Sequence, residues 1–149
     1  DYLSVMHQGR ILQTGTPLEL YEKPNSMAVA RSVGEAHFFS GTVMENEQLI
    51  ETVFGKIPLR PGQLGGGDNM MLRPEQIRLH DAQDKSEGVP GTIRRRVFQG
   101  NSWEVSVELA NGDLLTMELR QKSVPKLEKV QVVVRGDAVL LHGDDEGDA

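Results

Sequence analysis

The sequence predicts a mainly β protein, a small barrel or sandwich preceded by a β-hairpin and two short helices. Three observations predict it. From Phe38 onward, short stretches of β-branched, aromatic and alternating apolar residues recur between turn residues, the pattern of many short strands. Asn111-Gly112-Asp113 separates two such stretches, and Asn-Gly supplies the positive φ values that a tight hairpin needs. Before Phe38 the spacing differs: Val29 and Val33 stand four residues apart, on one face of a helix.

Taken in order, Asp1 to Gly15 read as a hairpin, with Leu3 and Val5 alternating with polar residues, a turn at Gln8-Gly9, and Ile11 resuming after it. Thr16-Pro17 opens a helix: Thr16 offers an oxygen to free amides, and Pro17 sits where a missing N–H costs nothing. Leu18, Leu20 and Tyr21 follow, and Pro24 stops it. A second helix runs from a cap at Asn25 or Ser26 to Val33 and ends at Gly34, a residue that accepts the left-handed conformation. Strands are then expected at Phe38 to Met44, Gln48 to Phe54, Asn69 to Leu72, Gln76 to His80, Gly91 to Phe98, Trp103 to Leu109, Leu114 to Leu119, Val130 to Val134 and Ala138 to His142. Gly65-Gly66-Gly67-Asp68 and Asp81 to Gly88 read as surface connections, and Asp144 to Ala149 as a frayed acidic tail.

Composition narrows the function. At 149 residues the chain is long enough for one domain or two small ones with a true core. Its 38% hydrophobic and 26% charged residues are those of a soluble protein, and no apolar run approaches the roughly 18 residues of a membrane span. Membrane association is therefore expected only through another protein. The start, Asp1 to Arg10, lacks the basic and then apolar pattern of a signal peptide. The absence of cysteine removes disulfides and thiolate metal sites and suits a reducing cytoplasm. A net charge of −6 argues against a nucleic-acid partner.

Most chemical motifs fail on inspection. The Gly55-Lys56 pair is followed by Ile57 and preceded by Ile50 where a phosphate-binding loop needs its first glycine. His7, His37, His80 and His142 lack the spacing of a zinc helix, and the Asp144–Asp148 acids lack the glycine turn of a calcium loop, so no metal is assigned. Strand alternation sends Arg95 to one side and Arg94 and Arg96 to the other, dividing a basic patch. Arg73, before Pro74 and near Glu75, is either a ligand anchor or an ion pair fixing a bend. Trp103, sharing a face with Val105 and Val107, either stacks on a ligand or belongs to core or interface. No catalytic residue and no cofactor-binding residue is assigned.

Resemblance adds a function. The run from Val5 to Pro24, with Gly9, Gly15, Pro17, Glu19, Tyr21 and Pro24, resembles the end of the ATPase domain in ABC importer subunits of the maltose, polyamine and ferric-iron type. Gly34-Glu35-Ala36-His37-Phe38 continues the pattern, with His37 where that family has asparagine, and with Ala28 and Ser32 where it often has aromatics. Leu72-Arg73-Pro74-Glu75-Gln76-Ile77-Arg78-Leu79 resembles the marker of the appended TOBE domain, an OB-like β-barrel. Gly91 through Phe98-Gln99-Gly100 and Trp103 to Leu109 resemble its second marker. Leu127-Glu128 stands where a Gly-Asp or Gly-Glu is usual, so the turn at Lys126 to Lys129 departs from the pattern.

The resemblance implies an ATPase-domain remnant at 1–34, a TOBE regulatory domain at 35–143 and a disordered tail at 144–149. It implies a chain without enzymatic activity or cofactor of its own, with ATP and magnesium held upstream of Asp1 in a longer parent. Expected partners are a second copy and, through the parent, permease subunits at the inner face of the plasma membrane. Phe38, Phe39 and Trp103 are the candidate interface aromatics. The transported solute could be ferric iron, a polyamine or a sugar. Two other readings stay open: an oxyanion-sensing TOBE domain, and an OB-fold oligonucleotide binder, which would need basic grooves and aromatic platforms that this composition does not favour.

Overall fold

The computed structural model describes residues 1–44, 48–61, 69–83 and 87–141. The triple glycine, part of the 81–88 connection, His142 and the acidic tail lie outside the described residues. The chain groups into two compact units, one of residues 1–50, 58–73 and 137–149, the other of 51–57 and 74–136.

The first unit opens with strands β1 (Leu3–His7) and β2 (Arg10–Gly15), antiparallel and joined at Gln8-Gly9, both at positive φ (49° and 79°). Helix α1 (Pro17–Glu22) begins in a capping box: the Glu19 amide donates to Thr16 Oγ1 (3.2 Å) and the Thr16 amide to Glu19 Oε2 (2.9 Å). Helix α2 (Met27–Val33) is capped by Ser26, whose Oγ accepts from the Val29 amide at 3.3 Å. Val5, Leu20 and Val29 bury one another, with Leu12 and Val33 against them. The hairpin is thereby fastened to both helices.

Gly34 corrects an expectation: it is extended, at φ 168°, rather than left-handed. Its lack of a side chain matters for space, because a Cβ there would stand 2.9 Å from Tyr21 Cε1. The expected strand from Phe38 is two strands, β3 (His37–Ser40) and β4 (Thr42–Val43), which enter different sheets around Gly41. The next is β5 (Leu49–Thr52), and its hairpin partner β6 (Gly55–Pro58) was not expected. Thr52 Oγ1 builds that turn, accepting from the Phe54 amide and donating to the Gly55 carbonyl, each at 3.0 Å. Strands β4, β5 and β6 lie side by side in that order. Strand β7 (Asn69–Leu72) pairs antiparallel with β3, and its other edge takes the final strand of the chain, Val139–Leu141. Ala30 of α2 packs on Met71, Val139 and Leu141, with Met27, Ala36 and Phe38 around them.

The second unit is a curled five-stranded antiparallel half-barrel. Pro74–Gln76 form a 3₁₀ turn where a strand start was expected, and β8 (Ile77–Asp81) follows. Then come β9 (Val89–Phe98), β10 (Trp103–Leu109), β11 (Leu114–Leu119) and β12 (Lys129–Val134); the last strand of the chain, in the first unit, is β13. The order across the half-barrel is β11-β10-β9-β12-β8. Register sets Val107 opposite both Leu115 and Ile93, Val105 opposite Met117, and Val132 opposite Leu79, and all of these are buried. That alternation is the core. Gly91, opposite Val130, makes room for it: a Cβ there would lie 2.7 Å from Val107 Cγ1. The Asn111-Gly112-Asp113 turn forms as expected, with Gly112 at φ 91° and Asn111 Oδ1 accepting from the Asp113 amide at 3.0 Å.

No helix among the described residues is long and apolar enough to cross a membrane.

Candidate functional site

The two sequence-distant markers meet at Arg73. Its side chain is 3% exposed, a permanent charge carried into the first unit just after β7. Such a charge survives burial only when its donors are used. Nη1 donates to the carbonyls of Ala30 (3.1 Å), Gly34 (3.3 Å) and Glu35 (2.9 Å), while Nε and Nη2 both reach the Tyr21 carbonyl (3.2 and 2.9 Å). The guanidinium carbon lies 4.0 Å from the centre of the Tyr21 ring.

Short helices explain why these carbonyls are on offer. The last four carbonyls of a helix have no intrahelical donor, and the helix end carries partial negative charge. Tyr21 belongs to the last turn of α1, Ala30 to that of α2, and Gly34 and Glu35 follow α2. One cation thus closes two helix ends and their exit onto β7. The carbonyls that accept from Arg73 lie 38 to 52 residues earlier in the chain, and Arg73 and Glu75 each have a further interaction.

The remaining motif residues fall around the same junction. Gly15 lets the backbone approach Glu19, since a Cβ would lie 2.9 Å from Glu19 Oε2. Pro24 is buried, and Asn25 beside it ties back to β2, its amide donating to Gln13 Oε1 at 2.8 Å and its side chain to the Leu12 carbonyl at 2.9 Å. Pro74 and Glu75 form the 3₁₀ turn after Arg73. Gly100 stands apart, at φ 99° in the turn between β9 and β10.

His37 is enclosed beside the junction and its Nε2 has no hydrogen-bond partner. Burial pushes its pKa below the ordinary value, while the Glu35 carboxylate opposes the shift in part.

The interface aromatics divide. Phe39 is buried at 8% exposure and is a core residue, which corrects its reading as an exposed contact. Phe38 is half-buried beneath the guanidinium of Arg31, 4.9 Å from its ring centre. Trp103 is half-buried, its indole N–H donating to Gln121 Oε1, and Phe98 tilts against it with ring centres 5.0 Å apart. Phe98, which the sequence reading passed over as a contact, is the most exposed of these rings at 59%. Its place opposite Trp103 across the β9–β10 turn was the available signal.

The arginine run also differs from simple alternation. A register shift between Ser106 and Val107 makes Arg94 an extra residue on β9. Arg94 pairs with Glu108 at 2.9 Å, Arg95 is exposed, and Arg96 donates to the carbonyls of Pro125 (3.3 Å) and Leu127 (2.9 Å). Asp81 holds the same segment, accepting from the amides of Lys126 (3.2 Å) and Leu127 (2.7 Å). The side chains of Arg96 and Asp81 therefore fix the turn at Leu127-Glu128.

The curled five-stranded half-barrel is consistent with the OB-like fold of a TOBE domain. The TOBE domain family model matches residues 70–147, and the chain belongs to that family. Its relatives are ATP-binding subunits of ABC importers: the chain is 35% identical over 127 residues to the spermidine/putrescine import ATP-binding protein PotA of Shigella boydii serotype 4 (strain Sb227), and to that of Escherichia coli (strain K12). In each case the match covers 77% of this chain and 33% of the relative, so the chain spans about a third of the length of these proteins. Among solved structures, the cytoplasmic molybdate-binding protein ModG in its molybdate-bound form shares the fold, with a TM-score of 0.51 and 19% identity over 70% of this chain and 94% of that one.

Proposed function

We propose that this chain is the regulatory and self-associating region of the ATP-binding subunit of a bacterial ABC importer, within a longer protein that powers uptake of a polyamine. The Arg73 junction carries the reading. It binds the hairpin and helices, which resemble the end of an ATPase domain, to the strand that leads into the TOBE barrel. A displacement of the helix ends must either carry β7 with them or break charge-assisted hydrogen bonds. A signal received by the barrel then biases the ATPase cycle by its difference in affinity between the two states.

ATP chemistry belongs to the rest of the longer protein, because this chain has no phosphate-binding loop. Permease subunits at the inner face of the membrane are its partners there. The names of the relatives support a polyamine over ferric iron or a sugar.

Self-association rests on exposed apolar surface. Met6 and Ile11 face each other across the hairpin at 62% and 63% exposure, and Phe98 is exposed over Trp103. A two-fold axis lets one such patch serve both copies. Light scattering at high micromolar concentration should give twice the 16.5 kDa of one chain. Loss of the dimer in Ile11→Ser assigns the contact to the hairpin, and loss in Phe98→Ser assigns it to the barrel. A wild-type chain that stays monomeric refutes the self-association.

The solute is tested in cells lacking their own polyamine import, supplied with the longer protein and its permease. Uptake of labelled putrescine is expected. Uptake of ferric iron or maltose instead would overturn the polyamine assignment, and absence of ATP hydrolysis by the longer protein would overturn the importer reading.

A further inference from the structure

The turn between β10 and β11 holds a reactive pair of residues under restraint. Asn111 alone among the asparagines of the chain is followed by glycine; the others precede Ser26, Glu47, Met70 and Ser102. Register pairs Glu108 with Leu114, so the chain reverses over residues 109–113, and Asn111, Gly112 and Asp113 are all exposed. A bond between the Gly112 nitrogen and Asn111 Cγ closes a five-membered ring, an intramolecular attack that no side chain on Gly112 obstructs.

The folded turn opposes that attack at both partners. The Gly112 amide donates its hydrogen to the Leu109 carbonyl at 2.9 Å, and it must give up that hydrogen to become a nucleophile. The Asn111 carboxamide is tied at both ends to Asp113: Oδ1 accepts from the Asp113 amide at 3.0 Å, and Nδ2 donates to Asp113 Oδ2 at 2.9 Å. The Leu109 amide donates to the Asp113 carbonyl at 2.8 Å and closes the turn. Reaction therefore requires the turn to open. Opening is easiest at the margin of a sheet, and β11 is an edge strand paired with β10.

We propose that Asn111 is a site of spontaneous amide-to-acid conversion whose rate is set by its bonds to Asp113. In the opened turn the Gly112 nitrogen loses its proton to hydroxide and bonds to Asn111 Cγ. The Cγ–Nδ2 bond breaks, and Nδ2 takes a proton from water and leaves as ammonia. Water then adds to one carbonyl of the cyclic imide, and the ring C–N bond there breaks. Opening at Cγ gives aspartate; opening at the main-chain carbonyl gives isoaspartate, in which the chain runs through Cβ and Cγ. Either product ends the restraint. Aspartate adds one negative charge to the −6 of the chain and sets an acceptor where Asp113 Oδ2 had a donor. Isoaspartate lengthens the main chain by one carbon inside the turn and displaces the bond that closes it. The site goes beyond the importer reading and does not depend on it, since conversion is measured on this chain alone.

The test is incubation of the whole chain at mildly alkaline pH, native and unfolded in urea, with peptide mapping by mass and separation of the aspartyl and isoaspartyl forms. Conversion should centre on Asn111 and run at least about tenfold slower in the native chain, where the turn must first open. Asp113→Ala removes the acceptor of Nδ2 and should speed native conversion about fivefold, the worth of one exposed hydrogen bond, without changing the rate in urea. Asp113 is exposed, so this variant keeps the fold. Asn111→Gln, which would have to close a larger ring, should stay unconverted. Hydrogen exchange on β11 should accelerate in the converted chain. Faster conversion at Asn25 or Asn101, equal rates in the native and unfolded chain, or an Asp113→Ala rate equal to wild type would each overturn the proposal. So would an unfolded chain that keeps its Asn111 amide.

Discussion

Replacing Arg73 by alanine removes five hydrogen bonds and leaves four carbonyls without this donor. A buried acceptor left unsatisfied costs about 1–3 kcal/mol. The Ala30 bond is fully buried and incurs that cost in full, while the Tyr21, Gly34 and Glu35 carbonyls are partly buried and regain some water. Loss of the guanidinium from the Tyr21 ring adds up to about 2 kcal/mol. The sum is about 4 kcal/mol for Arg73→Ala. Arg73→Lys keeps the charge but loses the fork that reaches Tyr21 and Glu35 together, so about half that loss is expected. At about 3 °C per kcal/mol for a chain of this length, Arg73→Ala should lower Tm by about 12 °C. Far-UV circular dichroism measures the transition, and Trp103 fluorescence, from the other unit, reports whether the barrel melts with it. Hydrogen exchange should accelerate in segment 17–35. A shift in Tm below about 3 °C, or unchanged exchange in that segment, would refute the account of the junction.

His37 makes stability depend on pH. Its folded pKa lies below the unfolded value of about 6.5, so the unfolded state takes up the proton first. The stability linked to neutral His37 is complete above about pH 6.5, declines as pH falls below it, and levels off under the folded pKa. His37→Asn should flatten that part of a urea-denaturation series between pH 7 and 5, and an identical slope in the variant would contradict the assignment. Gly91→Ala should cost about 2 kcal/mol, since its Cβ is forced against Val107 and Val132. A lowered urea midpoint at unchanged slope is the expected reading, and an unaltered midpoint would show that β9 has room to spare.

The alternation of Val105 and Val107, and of Val130 and Val132, is a period-two signal strong enough to place the barrel strands from sequence. The caps at Thr16 and Ser26 and the Asn111-Gly112 turn are local chemistry, and they form where their residues stand. What sequence reading missed is governed by distant contacts or by a single inserted residue. Strand β6 has only four residues and ends in Pro58, too short for its alternation to show. The bulge at Arg94 reverses the faces expected for its neighbours, and no local pattern announces it. Phe39 is as apolar as Phe38, and only the fold shows which of the two neighbours is buried. The carbonyls that Arg73 holds belong to residues far upstream, so the resemblance named the residue while only the fold supplied its acceptors.

The central claim is that the Arg73 junction couples the barrel to an ATPase cycle. Its most direct test is ATP hydrolysis by the longer protein assembled with its permease, with and without the transported solute, for wild type and Arg73→Lys. The account predicts that basal hydrolysis persists in the variant at a temperature where it is folded, while its response to the solute falls several-fold. A response equal to wild type, in a variant whose segment 17–35 exchanges faster, would contradict it.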